Sequence, residues 1–296
     1  MSEKIIFWYG CNVLRHGDII HSCLDILRLL GIDARPAGGP DYCCGSVKDA
    51  NQAAADGMAR RTVTKFNDLH RARVVAWCPS CHAHMNGFMG QAYRPEFGLT
   101  YFVDTLYEHR AALSALLKHP VPMRILLHKH LGFNDKVAVN ARVPELLRLI
   151  PGVEVVEDGY AAPGYMCASL SSVPAAMEDM IRETLRLVAV HRADAVVTVY
   201  HQCYRELCGL EPHANTKTFN YVQLLAQSMG LQYEDEYKAW KKAGPNAGAV
   251  IGKKRIEQVG VQFFERALLP ELVKRPLGLD PKPRSDPNEG SVTGDG

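Results

Sequence analysis

Five cysteines within the first 81 residues carry most of the chemistry this sequence offers: Cys11, the adjacent pair Cys43-Cys44, and Cys78-Pro79-Ser80-Cys81. A C-x-x-C turn lets two thiolates converge on a metal, and Pro79 stiffens that turn. The vicinal pair is less usual. Neighbouring side chains diverge, so two adjacent sulfurs suit a polynuclear cluster in which one caps an iron and the other reaches a second iron or bridges two. Gly45 leaves room for backbone to approach inorganic sulfide, and a helix starting near Ser46 would aim N–H groups at an anionic cluster. Two other chemistries compete for the same residues. A zinc site uses four ligands and leaves one thiol over. A thioredoxin-like dithiol at Cys78 and Cys81, behind Trp77, leaves Cys11, Cys43 and Cys44 unexplained.

The elements that must position these thiols alternate between strand and helix. Lys4 to Gly10 is a short β-rich apolar run closed by glycine, and Ile19 to Leu30 follows at helical period up to Gly31. A Pro/Gly-rich loop from Pro36 to Pro40 and a long polar-alanine helix from about Ser46 to Arg71 come next. Val74 to Trp77 then reads as a buried strand running into Cys78. Alternation of this kind predicts α/β architecture with parallel sheets and right-handed crossovers, whose sites form at the carboxyl ends of strands. Cys11 and Cys78 both follow strands and belong on one edge.

The pattern then repeats. Arg73 to His82 aligns with Ala195 to Tyr204, Tyr42-Cys43-Cys44-Gly45-Ser46 with Tyr165-Met166-Cys167-Ala168-Ser169, and Phe102 to Leu106 more loosely with Tyr221 to Leu225. The strand before Cys11 matches Ile125-Leu126-Leu127 before His128. A duplication divides the chain into residues 1–120 and 121–232, with His119 to Pro122 as linker, a helical extension over 233–279 and a disordered tail over 280–296. In the second copy only Cys167 and Cys203 persist. With His128 they form a possible second metal site for a smaller cluster or a single ion, or else the region is a pocket that shapes a substrate. His130, two residues on, shares a face with His128 if the extended geometry continues. Cys23 lies on an apolar helical face and Cys208 more than a turn past Cys203, so both read as structural. His82 and His84 read equally as donors near the C-x-x-C turn or as surface positions, and Trp240-Lys241-Lys242 and Lys253-Lys254-Arg255 as solvated faces.

Composition narrows the partners. The chain has 296 residues, a formal charge of +2, 47% hydrophobic and 22% charged residues, and nine cysteines. A near-neutral chain has no strong field for nucleic acid. The apolar runs fall far short of the roughly 20 residues a membrane span needs, and the five apolar residues after Lys4 are too few for a secretory segment, so the expected location is cytoplasmic. An odd cysteine count there implies reduced thiols engaged in metal or redox chemistry.

The pattern C-x31-C-C-G-x32-C-P-S-C, with its degenerate second copy, resembles the CCG domain over roughly residues 4 to 232. That domain is the cysteine-rich module of the B component of heterodisulfide reductase and its relatives. The resemblance implies two Rossmann-like CCG domains about a pseudo-twofold. It also implies one noncubane 4Fe-4S cluster held by Cys11, Cys43, Cys44, Cys78 and Cys81, with Gly45 beside it. It further implies an oxidoreductase acting on thiol/disulfide or carrier-bound sulfur, as in heterodisulfide reductase-like complexes of sulfur oxidation; the asymmetry of the repeat, with histidines facing the thiol edge, suggests His128 or His201 for proton transfer. The implied partners are an iron-sulfur protein like the C component of that enzyme and a flavoprotein like its A component, since no G-x-G-x-x-G follows the first strand. Two alternatives stay open: a pure electron-transfer member of a lactate-, glycolate- or succinate-type oxidoreductase, and a non-enzymatic zinc protein.

Overall fold

The computed structural model describes residues 3–11, 15–46, 51–86, 93–132 and 138–274. The disordered tail expected over 280–296 lies outside them. In chain order the front half comprises β1 (Lys4–Gly10), α1 (Gly17–Leu29), β2 (Asp33–Gly38), α2 (Gln52–Asn67), β3 (Arg73–Ala76), α3 (Pro79–His84), β4 (Gly98–Tyr101), α4 (Phe102–Glu108) and α5 (Arg110–Leu116). The rear half comprises β5 (Met123–His128), α6 (Val139–Leu147), β6 (Val153–Val155), α7 (Pro174–His191), β7 (Ala195–Thr198), α8 (His201–Leu207), β8 (Lys217–Asn220) and α9 (Tyr221–Ser228).

Each half builds a four-stranded, wholly parallel sheet, with orders β2-β1-β3-β4 and β6-β5-β7-β8. The sequence repeat therefore returns as the same strand order twice. Trp8 pairs with Ala76 at the end of the front sheet, and His128 with Thr198 at the corresponding place in the rear. The carboxyl ends of β1 and β3 thus deliver Cys11 and Cys78 to one edge, and those of β5 and β7 deliver His128 and Tyr200 to its counterpart.

The two sheets share a core. α1 contributes Ile19, Cys23 and Ile26, and α4 contributes Phe102, Val103 and Leu106; with Val143 and Leu147 of α6 and Tyr221, Val222 and Leu225 of α9 they form one continuous buried cluster. Burial of so many large apolar side chains across the seam, each worth about 1.5–3 kcal/mol, welds the lobes together. The outer face of the front sheet is covered by α2, where Trp8 meets Phe66 edge to face at 5.2 Å between ring centroids. A third cluster joins Tyr204 and Cys208 to Tyr237, Phe264 and Leu268, so the C-terminal helices pack back on the second half.

Three local expectations are revised. Pro36, expected in a loop, sits in β2 opposite Phe7; β2 is an edge strand, where a missing N–H costs no ladder bond. The helix expected from about Ser46 starts at Gln52, because the Asn51 side chain caps it by accepting from Ala54 N, and it ends at Asn67, with His70 in the left-handed region at φ 47°. Residues 47–50 lie outside the described set. The single C-terminal helix expected over Ile256 to Leu269 is broken into short pieces, since Gly260 takes φ 97°.

Candidate metal centre

The front thiols come from three loops that the fold holds firmly. Trp8, at the end of β1, donates its indole N–H to Tyr42 O at 2.9 Å, and Thr62 of α2 donates its hydroxyl to Cys43 O at 2.8 Å. Two buried hydrogen bonds thus fix the loop bearing the vicinal pair to both the sheet and the helix beneath it. Cys78 stands at the N-cap of α3 with Pro79 in the first turn, and Cys81 lies one turn on. Side-chain hydrogen bonds then run from Cys11 and from Cys44 to Cys43, and from Cys81 towards Cys44 and Cys78. All five sulfurs meet in one unbroken chain of contacts, and all but Cys11 are buried.

Electrostatically such a set demands a cation. Hydrogen bonds from Cys11 and Cys44 bring Cys43 down to about 2, and Cys81 lowers Cys78, while Cys44, sharing its proton with Cys43, is pushed up to about 12. Cys11, beside Cys43, and Cys81, beside Cys44 and Cys78, are likewise pushed up. Five thiols this close cannot all ionise without positive charge among them, and a polynuclear iron centre supplies that charge. The donor set therefore fits an iron-sulfur cluster of the implied kind.

Glycine plays two parts here. Gly45, at φ 89°, donates its N–H to Cys43 Sγ at 3.4 Å; a side chain at this position would meet Ala55 O of α2 at 2.4 Å. The close approach that requires glycine is thus to the helix, and the amide hydrogen bond is what reaches the sulfur. Gly10 escaped sequence reasoning. At φ 82° its missing Cβ would lie 3.1 Å from Cys78 Cβ and 3.4 Å from Cys81 Sγ, so it opens the floor under the C-x-x-C turn. A glycine directly before the first cysteine was the available signal.

At the rear edge the structure assembles Cys167, Cys203, His128 and also His130, all fully or almost fully buried and with donor atoms within 4.8 Å of one another. The extended geometry does continue past His128: His130 bridges in parallel to Ala162, with Ala162 N donating to Lys129 O and Leu131 N to Ala162 O. His128 Nε2 lies 3.1 Å from His130 Nε2, and Cys167 Sγ lies 3.4 and 3.5 Å from these two nitrogens. Burial alone would raise the Cys203 thiol, but a hydrogen bond from Cys167 and the closeness of both imidazoles bring it well below its ordinary value. Cys208 sits apart, in the cluster with Tyr204 and Tyr237, and Cys23 lies in the main core, as their patterns predict.

Between the two edges lies a buried polar seam. Trp77, next to Cys78, has its ring 5.4 Å from His201, and His201 lies 6.2 Å from His16. Both nitrogens of His16, both of His201 and Trp77 Nε1 are buried without hydrogen-bond partners among the described residues. Burial, and then the charge of nearby Arg205, hold both imidazoles well below the usual histidine value. His82 is buried in the front lobe against Tyr101, and burial pushes it down to about 4.

Comparison with known proteins agrees with this geometry. Residues 5–86 match the CCG family, a cysteine-rich domain. Over 252 residues the chain is 25% identical to the Bacillus subtilis (strain 168) protein named Probable iron-sulfur-binding oxidoreductase FadF, covering 76% of this chain and 34% of that protein. The chain thus spans about a third of that relative's length. Solved structures with partial likeness include PH1733, an aspartate racemase homologue from Pyrococcus horikoshii OT3 (TM-score 0.35, 8% identity, 77% of this chain and 97% of that one), and glutamate racemase from Aquifex pyrophilus (0.30, 10%, 79% and 85%). Scores this low transfer neither fold nor chemistry. Residues 5–86 are thus similar to the CCG domain, and the chain is similar to a protein named as an iron-sulfur-binding oxidoreductase. Among the described residues no helix is long and apolar enough to cross a membrane.

Proposed function

We propose that this protein is the counterpart, in a redox complex, of the B component of heterodisulfide reductase. In this reading Cys11, Cys43, Cys44, Cys78 and Cys81 hold one noncubane 4Fe-4S cluster, and a thiol, disulfide or carrier-bound sulfur is handled at the lobe seam. The unbroken contact of five thiols from three loops carries the reading. When bound, the cluster supplies one-electron redox capacity at an anionic, sulfur-rich centre. The partners in this reading would be an iron-sulfur protein like the C component of that enzyme and a flavoprotein like its A component.

The chain's own residues prepare the seam. Trp77 walls the approach to Cys78, and the nitrogens of His16 and His201, without hydrogen-bond partners among the described residues, offer a donor and an acceptor to an entering sulfur group. Burial first, and then the charge of Arg205, keep these imidazoles neutral, and that same positive charge favours an anionic sulfur beside them. His201 then holds or returns a proton at that sulfur. His128, the other residue expected to move protons, has Nδ1 against Thr184 Oγ1 and Nε2 against His130 and Cys167, so His201 takes the role. A pure electron carrier has no use for partnerless buried polar groups beside its cluster, and this favours a substrate of the protein's own over the electron-transfer alternative.

Purification without oxygen, with iron and sulfide analysis and electron paramagnetic resonance, tests the proposal. Four irons per chain and a cluster signal perturbed by added thiol or disulfide are expected. Cys44→Ala is expected to abolish the signal and the iron. Retention of both after that substitution removes the vicinal pair from the site, and a signal indifferent to thiols and disulfides returns the protein to simple electron transfer.

A further inference from the structure

We propose that His128, His130, Cys167 and Cys203 form a closed, four-coordinate site for a single zinc ion in the rear lobe. The inference stands apart from the front-lobe cluster and rests on different atoms. A tetrahedral zinc with Zn–N of about 2.0 Å and Zn–S of about 2.3 Å has N–N edges of about 3.3 Å and N–S edges of about 3.6 Å. The observed values are 3.1 Å between the two Nε2 atoms and 3.4 and 3.5 Å from Cys167 Sγ to each of them. Cys203 Sγ completes the set within 4.8 Å. These separations are those of ligands around one ion; ligands of a multi-iron cluster are held farther apart by the cluster's own metal and sulfide atoms.

The hydrogen bonds behind the ligands point the same way. His130 Nδ1 lies 3.0 Å from Pro163 O. A carbonyl only accepts, so Nδ1 carries the hydrogen and Nε2 turns a lone pair inward. Thr184 donates its hydroxyl hydrogen to Met180 O at 2.8 Å, so at 3.4 Å it accepts from His128 Nδ1, and His128 Nε2 also presents a lone pair. With both rings neutral, two imidazole lone pairs face each other at 3.1 Å in a dry interior, an arrangement that requires a cation between them, a shared proton in the metal-free site or a metal ion in its place. Orienting partners on the outer nitrogens are what metal-bound histidines carry. Cys167 N donates to Cys203 Sγ at 3.3 Å, which stabilises the thiolate.

Among the described residues the site has no opening. His128 is 3% exposed and the other three ligands are 0% exposed, so no coordination position faces solvent or substrate, and the ion is structural. Its ligands come from the end of β5, the chain just beyond it, the one-turn helix at Cys167–Leu170 and the first turn of α8. One ion thus ties together the loop preceding α7 and the turn that presents Tyr200 and His201 to the seam. Entry of zinc displaces whatever protons the four donors share, so that Cys167 and Cys203 bind as thiolates and the imidazoles bind neutral.

Metal analysis of the full-length protein purified without oxygen, with zinc as the probe, tests the site. One zinc per chain is expected, with an X-ray absorption fit of two nitrogens at about 2.0 Å and two sulfurs at about 2.3 Å. Cys203→Ser and the milder His130→Gln are expected to lose most of the zinc while keeping the iron, and Cys44→Ala to lose the iron while keeping the zinc. Should the serine variant fail to fold, cobalt(II) exchanged into the wild type reads the same geometry through tetrahedral d–d bands and a thiolate charge-transfer band. Zinc absent from the wild type even after zinc is supplied, iron bound at these four ligands, zinc lost with Cys44→Ala, or octahedral cobalt without thiolate bands would each overturn the proposal.

Discussion

At the front strand-end edge five sulfurs touch in series, and at the rear edge two sulfurs and two imidazoles close around one point. The positions correspond closely. Cys44 and Cys81 become Cys167 and Cys203, and each pair is in side-chain contact in its own lobe. Cys43 is replaced by Met166 and Cys78 by Tyr200, His128 takes the register position of Trp8 at the end of its strand, and His130 is recruited from the extension of β5. One strand order therefore holds three loops at a fixed spacing, and the donors placed on them set how many metal atoms the spacing accepts. Deleting three outer thiols leaves an inner pair, and two imidazoles, reaching farther from the backbone than cysteine, draw the remaining donors onto a single centre.

The glycine of the CCG motif gives the sharpest test of that comparison. Gly45→Ala combines a φ of 89° with a Cβ 2.4 Å from Ala55 O, and the strain together with the clash costs on the order of 3 kcal/mol. Most of the iron is expected to be lost, because the loop that holds Cys43 and Cys44 has to move off α2. The rear lobe already carries Ala168 at the matching place, inside a one-turn helix, so Ala168→Gly should cost about 1 kcal/mol or less and leave zinc in place. Equal losses from the two substitutions, read by metal content and thermal midpoint, would show that the loops are built alike.

A matched pair of threonines makes a finer comparison. Thr62 of α2 holds Cys43 O, and Thr184 of α7 holds His128 Nδ1. Thr62→Val orphans a buried carbonyl and should cost about 1–3 kcal/mol in denaturant midpoint with iron largely retained. Thr184→Val frees the His128 ring and should weaken zinc binding about 10–100-fold in chelator competition. Zinc affinity unchanged by Thr184→Val would mean that His128 is oriented by its strand alone.

Much of this was legible in the residues themselves. Parallel sheets, the duplication and the thiol edge follow from strands that run directly into Cys11, Cys78 and His128. The rear site was legible only in part, because whether His130 joins His128 depends on the backbone staying extended past β5, and the bridge to Ala162 that enforces this is made by a residue more than thirty positions away. The seam was hidden for a similar reason. His16 reads as an ordinary polar residue before a helix, and only the folding of one lobe on the other sets it against His201 and Tyr237.

The seam also carries the smallest predicted effect. Asp18 of α1 is buried against the rear lobe, where Gln223 Nε2 donates to it at 2.6 Å and to Asp235 at 3.2 Å. Burial first, and then the charge of Asp235, push its carboxyl up to about 6. An acid whose folded-state pKa is raised is protonated longer in the folded chain than in the unfolded one, so stability falls as pH rises from about 4 to about 6 and the penalty is complete above that. Two pKa units amount to about 3 kcal/mol, of which Asp18→Asn recovers about 2, since its amide oxygen still accepts from Gln223 while its new N–H finds no acceptor assigned to it. The gain should be greatest near pH 8, fall to roughly 0.6 kcal/mol by pH 5 and turn into a loss of about 1 kcal/mol below pH 4, while iron and zinc contents stay at wild-type values. Thermal midpoints of the two proteins across that range decide the matter: a gain independent of pH would locate the benefit in packing between α1 and α9, and no gain at all would mean that Asp18 titrates near its ordinary value in contact with water.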